Sequence, residues 1–304
     1  MKILCAVDGS EYAMWGIETL GSLFHRTIKE VILIHVMDTT PVKNSLKKGG
    51  TRATNVKKYV SALEKHGKEV LKRSKAQAEL AINQSTTKPF VSIRSLLAKG
   101  HAADVIIREA EKRKPHLIIL GSRGMADIKG YLMGSVSRKV LSYAPCAVLM
   151  VKEPLLTPAK AVLAVDGSGA SKRAANAVKN WLDPEDVTLC VLSAVPQVLT
   201  DIAPKVLPKK HLLALTEPFY HRAEELTSQY RSLFIKEGYD VHPDVLKGNP
   251  REVILEHIRQ SKAQLAVLGS KGLTGPERFQ MGSVSEWVAA YSSCTVLVVR
   301  PRPI

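Results

Sequence analysis

Short, almost wholly apolar runs alternate with longer amphipathic stretches along the 304-residue chain. In the first half the apolar runs fall at 2–8 (KILCAVD), 30–37 (EVILIHVM), 90–97 (FVSIRSLL), 116–120 and 146–152, each of strand length and most rich in β-branched residues. Helical spacing between them predicts helices ending near Phe24, covering about 57–82, opening after Gly100-His101, and running from Gly134 to about Tyr143. Strands that are apolar throughout, rather than alternating, are buried on both faces. The pattern therefore predicts a parallel sheet with helices on each side, joined by right-handed crossovers.

The same order returns in the second half, with strands at 160–166, 187–193, 239–246, 264–268 and 294–299. Helices are expected up to Trp181, over about 219–237, after Gly248-Asn249-Pro250 with proline in the first turn, and from Gly282. Residues 153–159, with PLLTP inside them, read as a linker between domains at 1–152 and 160–304. Each predicted domain is an α/β, doubly wound, Rossmann-like unit with a five-stranded parallel sheet. Two domains of about 150 residues are each large enough to bury a core. Long connections at 38–55 and 196–208 break the rhythm, and long loops of this kind are often functional.

Two strings recur. AVDGS stands at 6–10 and again at 164–168, closing the first strand of each half on Asp8 and Asp166. A glycine pattern, G-x2-G-x9-G-S, directly follows the fourth strand as Gly121, Gly124, Gly134 and Ser135, and again as Gly269, Gly272, Gly282 and Ser283, each 148 positions later. Glycines let backbone come close to a ligand, and the first turn of a helix presents N–H groups to an anion. The hydroxyls of Ser135 and Ser137 are expected where phosphates would lie. In open parallel sheets ligands sit beyond the carboxyl ends of the strands, where the strand order reverses, so Asp8 and the glycines are expected to meet there. A carboxylate at that point offers an acceptor for a ribose hydroxyl or a base amino group, or else it caps the following helix.

This repeated signature resembles that of the universal stress protein family in its ATP-binding branch, over nearly the whole chain. The resemblance implies ATP, with Mg2+ or another divalent ion only as a companion of the phosphates. Carried over by position, the first site comprises Val7, Asp8, Gly100, Gly121, Arg123, Gly124, Gly134, Ser135, Val136 and Ser137. The second comprises Val165, Asp166, Gly248, Gly269, Lys271, Gly272, Gly282, Ser283, Val284 and Ser285. Arg123 and Lys271 add positive charge beside the phosphates, and Lys129 against Glu277 makes the first site the better candidate for tight binding. Similar single-domain proteins dimerise along strand five, implying an internal pseudo-dimer or a homo-oligomer. The expected role is a nucleotide-responsive regulatory protein acting through a protein partner.

Catalysis has less support. The chain lacks a G-x4-G-K-[ST] loop and a nucleophile elbow, and no base and nucleophile pair is shared by the halves, so at most a weak ATPase is expected. His35 becomes Ser193 in the repeat and His101 becomes Asn249, so neither reads as a metal ligand.

Net charge is +16. Residues 1–152 carry 26 Lys and Arg against 12 acids, and residues 153–304 carry 18 against 16, so the excess belongs to the first half. Eleven basic residues fall between Lys43 and Lys75, against Glu64 and Glu69. A solvated helix face is the plainer reading; an anion-binding face, including salt-sensitive contact with nucleic acid, is the other. Cys5, Cys146, Cys190 and Cys294 lie in apolar runs without CxxC or zinc spacing and are expected to be buried thiols in a reducing compartment. No apolar run has the length of a membrane span, and the start is too short for a secretory core, so a cytoplasmic protein is expected.

Overall fold

The structure is a computed structural model that describes residues 1–39, 53–84, 90–125, 133–195, 209–272 and 281–301. It divides into two compact units, residues 1–154 and 155–300. In the first, β1 (Lys2–Ala6), α1 (Glu11–Ser22), β2 (Glu30–Met37), α2 (Ala53–Asn83), β3 (Ser92–Lys99), α3 (Ala102–Arg113), β4 (Leu117–Gly121), α4 (Ser135–Tyr143) and β5 (Ala147–Val151) follow one another. The sheet order within this unit is β3-β2-β1-β4-β5. All its pairs are parallel, with Ile3 level with Val31 on one side and with Leu117 on the other. The order reverses between β1 and β4, the place the sequence reserved for a ligand.

The second unit runs β6 (Ala159–Ala164), α5 (Gly169–Trp181), β7 (Val187–Val195), α6 (Lys209–Lys236), β8 (Asp240–Lys247), α7 (Pro250–Ser261), β9 (Leu265–Gly269), α8 (Ser283–Tyr291) and β10 (Thr295–Val299). Its order is β10-β9-β6-β7-β8, again parallel throughout, with the reversal between β6 and β9. The two units are thus α/β domains of the same doubly wound kind.

Burial explains the element types. Every residue of β4, β5 and β10 is buried, whereas β3 and β8, at one end of each order, are largely exposed or half-exposed. Such continuous burial is what makes the inner strands read as unbroken apolar runs. On α2, Val70, Leu71, Ser74, Ala78 and Ile82 are buried while Lys57, Lys58, Lys65, Lys68, Lys72 and Lys75 are exposed. The basic run is therefore, over its described part, the outer face of an amphipathic helix.

Two sequence expectations need correction. The helix placed at about 219–237 begins ten residues earlier, and Pro218 lies inside it. A proline removes one helical hydrogen bond but does not end a helix whose remaining turns pack on a sheet, as α6 does on β7 and β8. A short 3-10 turn, Pro184–Asp186, also went unforeseen; Asp183 caps it by accepting from the Glu185 amide at 3.1 Å. Among the described residues no helix is long and apolar enough to cross a membrane.

Beside that turn the buried Tyr239 closes the end of α5. Its hydroxyl lies 2.9 Å from both the Val178 and the Leu182 carbonyl oxygens at the helix end; Val178 already accepts from the Leu182 amide at 3.1 Å, while no described amide donates to the Leu182 carbonyl. Tyr239→Phe keeps the ring and strands the Leu182 carbonyl, while Val178 keeps the Leu182 amide. A loss of about 1–2 kcal/mol in urea unfolding is expected, and an unchanged midpoint would contradict it.

Candidate functional site

Asp8 follows β1 and stands at the strand-order reversal. Its Oδ1 accepts from the Ser10 amide at 2.9 Å and from the Ser10 hydroxyl at 2.6 Å. Ser10 in turn caps α1, accepting from the Ala13 amide at 3.3 Å. The cap is thus the serine, and the aspartate holds the cap in place. Asp166 repeats the arrangement, its Oδ1 accepting from the Ser168 amide at 2.9 Å while Ser168 caps α5.

The turn after β4 folds back onto this carboxylate. Asp8 Oδ2 accepts from the Met125 amide at 3.0 Å. In the second domain a side-chain carbon added at Gly272 would lie 3.0 Å from Asp166 Oδ2, so the corresponding turn passes equally close. The helix that follows is tied to the same turn, because the Gly134 amide donates to the Ser122 carbonyl at 2.8 Å and the Gly282 amide to the Ser270 carbonyl at 2.6 Å. Asp8, the 121–125 turn and the start of α4 are therefore joined in one place, as are Asp166, the 269–272 turn and the start of α8.

Those helix starts are open. Gly134 and Gly282 occupy the N-cap positions in extended conformation and have no side chain to close the first turn. The first helical bonds come from Arg138 and Glu286, so the amides of Ser135, Val136 and Ser137, and of Ser283, Val284 and Ser285, have no acceptor among the described residues. Each start thus presents three amide donors with the positive end of the helix dipole. Ser135 and Ser283 are exposed there. Arg123 adds a guanidinium, resting 5.7 Å from the Tyr12 ring centre with Nη1 3.3 Å from the Tyr12 hydroxyl. Tyr12 was not foreseen, and its counterpart in the second half is Ala170, so Lys271 lacks that rest.

Several residues serve the fold rather than an opening. The buried Ser137, whose hydroxyl was expected beside phosphates, donates it to the Gly121 carbonyl at 2.7 Å, and Ser285 donates to Gly269 at 2.6 Å, so each hydroxyl ties its helix to a strand end. Gly121 and Gly269 are glycines because a helix crosses them: an added side-chain carbon would lie 2.5 Å from Tyr12 Cβ or from the Ala170 backbone. Gly100 and Gly248 lie two strands away at the ends of β3 and β8, with φ of +138° and +146°, conformations that exclude most other residues. No described hydrogen bond joins them to the cradle. The 40–52, 126–132, 196–208 and 273–280 segments, with Lys129 and Glu277, lie outside the described residues.

Val7 and Val165 are buried. The Val7 amide donates to Ile34 at 2.9 Å, and its carbonyl accepts from His35 Nδ1 at 2.8 Å. Sequence reading set His35 aside as a non-ligand and missed this support for the floor beside Asp8. Burial, the largest cause, holds the His35 pKa below the ordinary 6.5, against the raising effect of the Val7 carbonyl. Between that lowered value and 6.5 the unfolded chain binds the proton and the folded chain does not, so stability increases with pH across the window and is lost on acidification. Urea midpoints are expected to fall below about pH 6.5, and less so in His35→Gln. Equal pH profiles for the two proteins would contradict this.

The profile of the universal stress protein family matches residues 1–152 and again 159–300. This chain belongs to the universal stress protein family, as a tandem member. A universal stress protein of Methanothermobacter thermautotrophicus is 34% identical over 152 residues, 50% of this chain and 94% of that protein. One from Methanocaldococcus jannaschii is 29% identical over 153 residues, 50% of this chain and 82% of its own. Among solved structures, a universal stress protein from Archaeoglobus fulgidus aligns over 99% of this chain and 96% of its own, with a TM-score of 0.65 and 22% identity. A putative universal stress protein from Pseudomonas aeruginosa covers 99% and 93%, with a TM-score of 0.60 and 17% identity. At such identities the likeness bears on fold alone.

Proposed function

We propose that this universal stress protein binds ATP in each half and responds to it as a regulatory protein. The observation that carries the reading is the duplicated open helix start, three amides without an acceptor among the described residues beside an aspartate at the strand-order reversal, in both domains. A polyphosphate supplies the acceptors those amides lack, and Arg123 or Lys271 offsets further negative charge. Ser135 and Ser283 are the hydroxyls left to assist.

The aspartates contribute mainly by fixing the loop. Both oxygens of Asp8 already accept from the protein, so a ribose or base amine would share them rather than find them open. A divalent ion is assigned to the phosphates rather than to protein ligands. Among the described residues none at the cradle is set to activate water, which favours a bound signal over a substrate.

ATP that bridges the β4 turn and the α4 start orders both, and such ordering is what a partner would sense. Limited proteolysis is expected to give different fragment patterns with and without saturating ATP. Identical patterns would contradict the regulatory part of the proposal while leaving binding to be measured directly.

The exposed lysines of α2 support a second reading, association with polyanions. Salt-sensitive retention on nucleic acid that survives loss of both glycine turns would favour it.

A further inference from the structure

Away from the cradle, the second domain holds a cysteine, a histidine and an aspartate in series. Cys190 is on β7, His257 on α7 and Asp244 on β8. Cys190 Sγ lies 3.4 Å from His257 Nε2, and His257 Nδ1 lies 3.4 Å from Asp244 Oδ2. The carboxylate selects the tautomer with the proton on Nδ1, which leaves Nε2 as an acceptor facing the thiol.

The fold does not require this trio. At the equivalent places the first domain carries Ile32, Leu96 and Glu109, with the same strand register: Ile32 pairs with Arg94 as Cys190 pairs with His242. Glu109 turns to Arg113 along its own helix instead. One domain thus closes this face with aliphatic side chains and the other places a hydrogen-bonded relay there. Cys190 also differs from its fellows in access. Cys5, Cys146 and Cys294 are buried, as expected, but Cys190 is only partly so, a correction to the sequence reading.

We propose that Cys190 is a modification site, its thiol activated by His257 and oxidised by hydrogen peroxide or a small hydroperoxide to a sulfenic acid. The sulfur attacks the nearer peroxide oxygen; an S–O bond forms and the O–O bond breaks. Sulfur loses two electrons and the peroxide gains them. The thiol proton passes to His257 Nε2 and on to the departing hydroxide, which leaves as water. Asp244 is a positioning residue, stabilising the imidazolium that forms in between. Partial burial of the cysteine favours a small oxidant such as a peroxide over a bulky disulfide.

Burial, with Asp244 as a smaller contribution, pushes the Cys190 thiol up to about 12, so at rest the proton stays on sulfur. Burial by itself therefore makes the folded thiol slower than the same cysteine in an unfolded chain, and only the relay reverses that order. This contrast supplies the test. Intact protein is treated with hydrogen peroxide, trapped with dimedone, and mapped by peptide mass spectrometry, natively and in urea at the same pH.

Cys190 is expected to be labelled before the other three cysteines, and several-fold faster in the native protein than in urea. His257→Gln should slow native labelling at least tenfold; Asp244→Asn should slow it several-fold, with Asp244→Glu restoring part of the rate. Native labelling slower than in urea would overturn the proposal, as would a His257→Gln variant that reacts as fast as the parent. The native-against-urea comparison uses the unaltered chain and stands even where a variant fails to fold.

Discussion

Gly269→Val is expected to lower the stability of the second domain by about 3 kcal/mol, near the upper end of what overpacking a closed site costs. The added carbons have no room, because the first of them would already lie 2.5 Å from the Ala170 carbonyl carbon and 2.6 Å from its oxygen. These are backbone atoms in the first turn of α5, so relief requires the helix to move off β9 rather than a side chain to turn. Moving it also strains the bond from Ser285 to the Gly269 carbonyl, which ties α8 to the same strand end. Gly121→Val is expected to act similarly in the first domain, where Tyr12 and Ala13 stand in the way. A matched control is Gly169→Ala, whose new carbon meets only the Arg173 side chain at 3.5 Å. Its effect should stay within about 1 kcal/mol, as for glycine replaced by alanine at a compatible helical position. Urea unfolding of the three variants decides the matter; a Gly269→Val protein as stable as its parent would refute the close-packing role.

The second large effect is on ATP affinity. Gly272→Val is expected to weaken the second site at least tenfold, about 1.4 kcal/mol, while leaving the fold intact. Gly272 is exposed and its added carbon would face Asp166 Oδ2 at 3.0 Å, so the branched side chain displaces either the turn or the carboxylate. Gly124→Val is the corresponding change in the first site. Calorimetric titration should lose one binding event in each single variant and both in the double variant. Unaltered binding in the double variant would exclude the two turns from the ATP site.

Set side by side, these glycines show where sequence reading succeeded and where it stopped. The parallel, doubly wound architecture was legible because inner strands buried on both faces are apolar at nearly every position, as parallel strands covered by helices are. The cradle was legible because its spacing occurs twice. The reasons for individual residues were less so. Gly121 and Gly269 were read as making room for a ligand, yet they make room for a helix. The Ser137 hydroxyl was expected beside phosphates, and in the structure it and Ser285 each hold a strand end. A glycine or serine in a local string does not say which neighbour it faces, since that neighbour comes from another part of the chain.

His35, Tyr12 and the Cys190 relay escaped for the same reason. His35 meets Val7 across 28 positions, Arg123 meets Tyr12 across 111, and Cys190 meets His257 across 67. No window of sequence spans such pairs. A comparison of the halves did hold a clue in two cases, since His35 faces Ser193 and Cys190 faces Ile32 in the repeat.

The most direct measurement is equilibrium dialysis of the purified chain against labelled ATP with Mg2+, with Gly124→Val/Gly272→Val as the reference. About two ATP retained per parent chain, lost from the double variant while its unfolding midpoint is kept, is the expected result. No retention by the parent above that reference at millimolar ATP would contradict nucleotide binding at the paired helix starts.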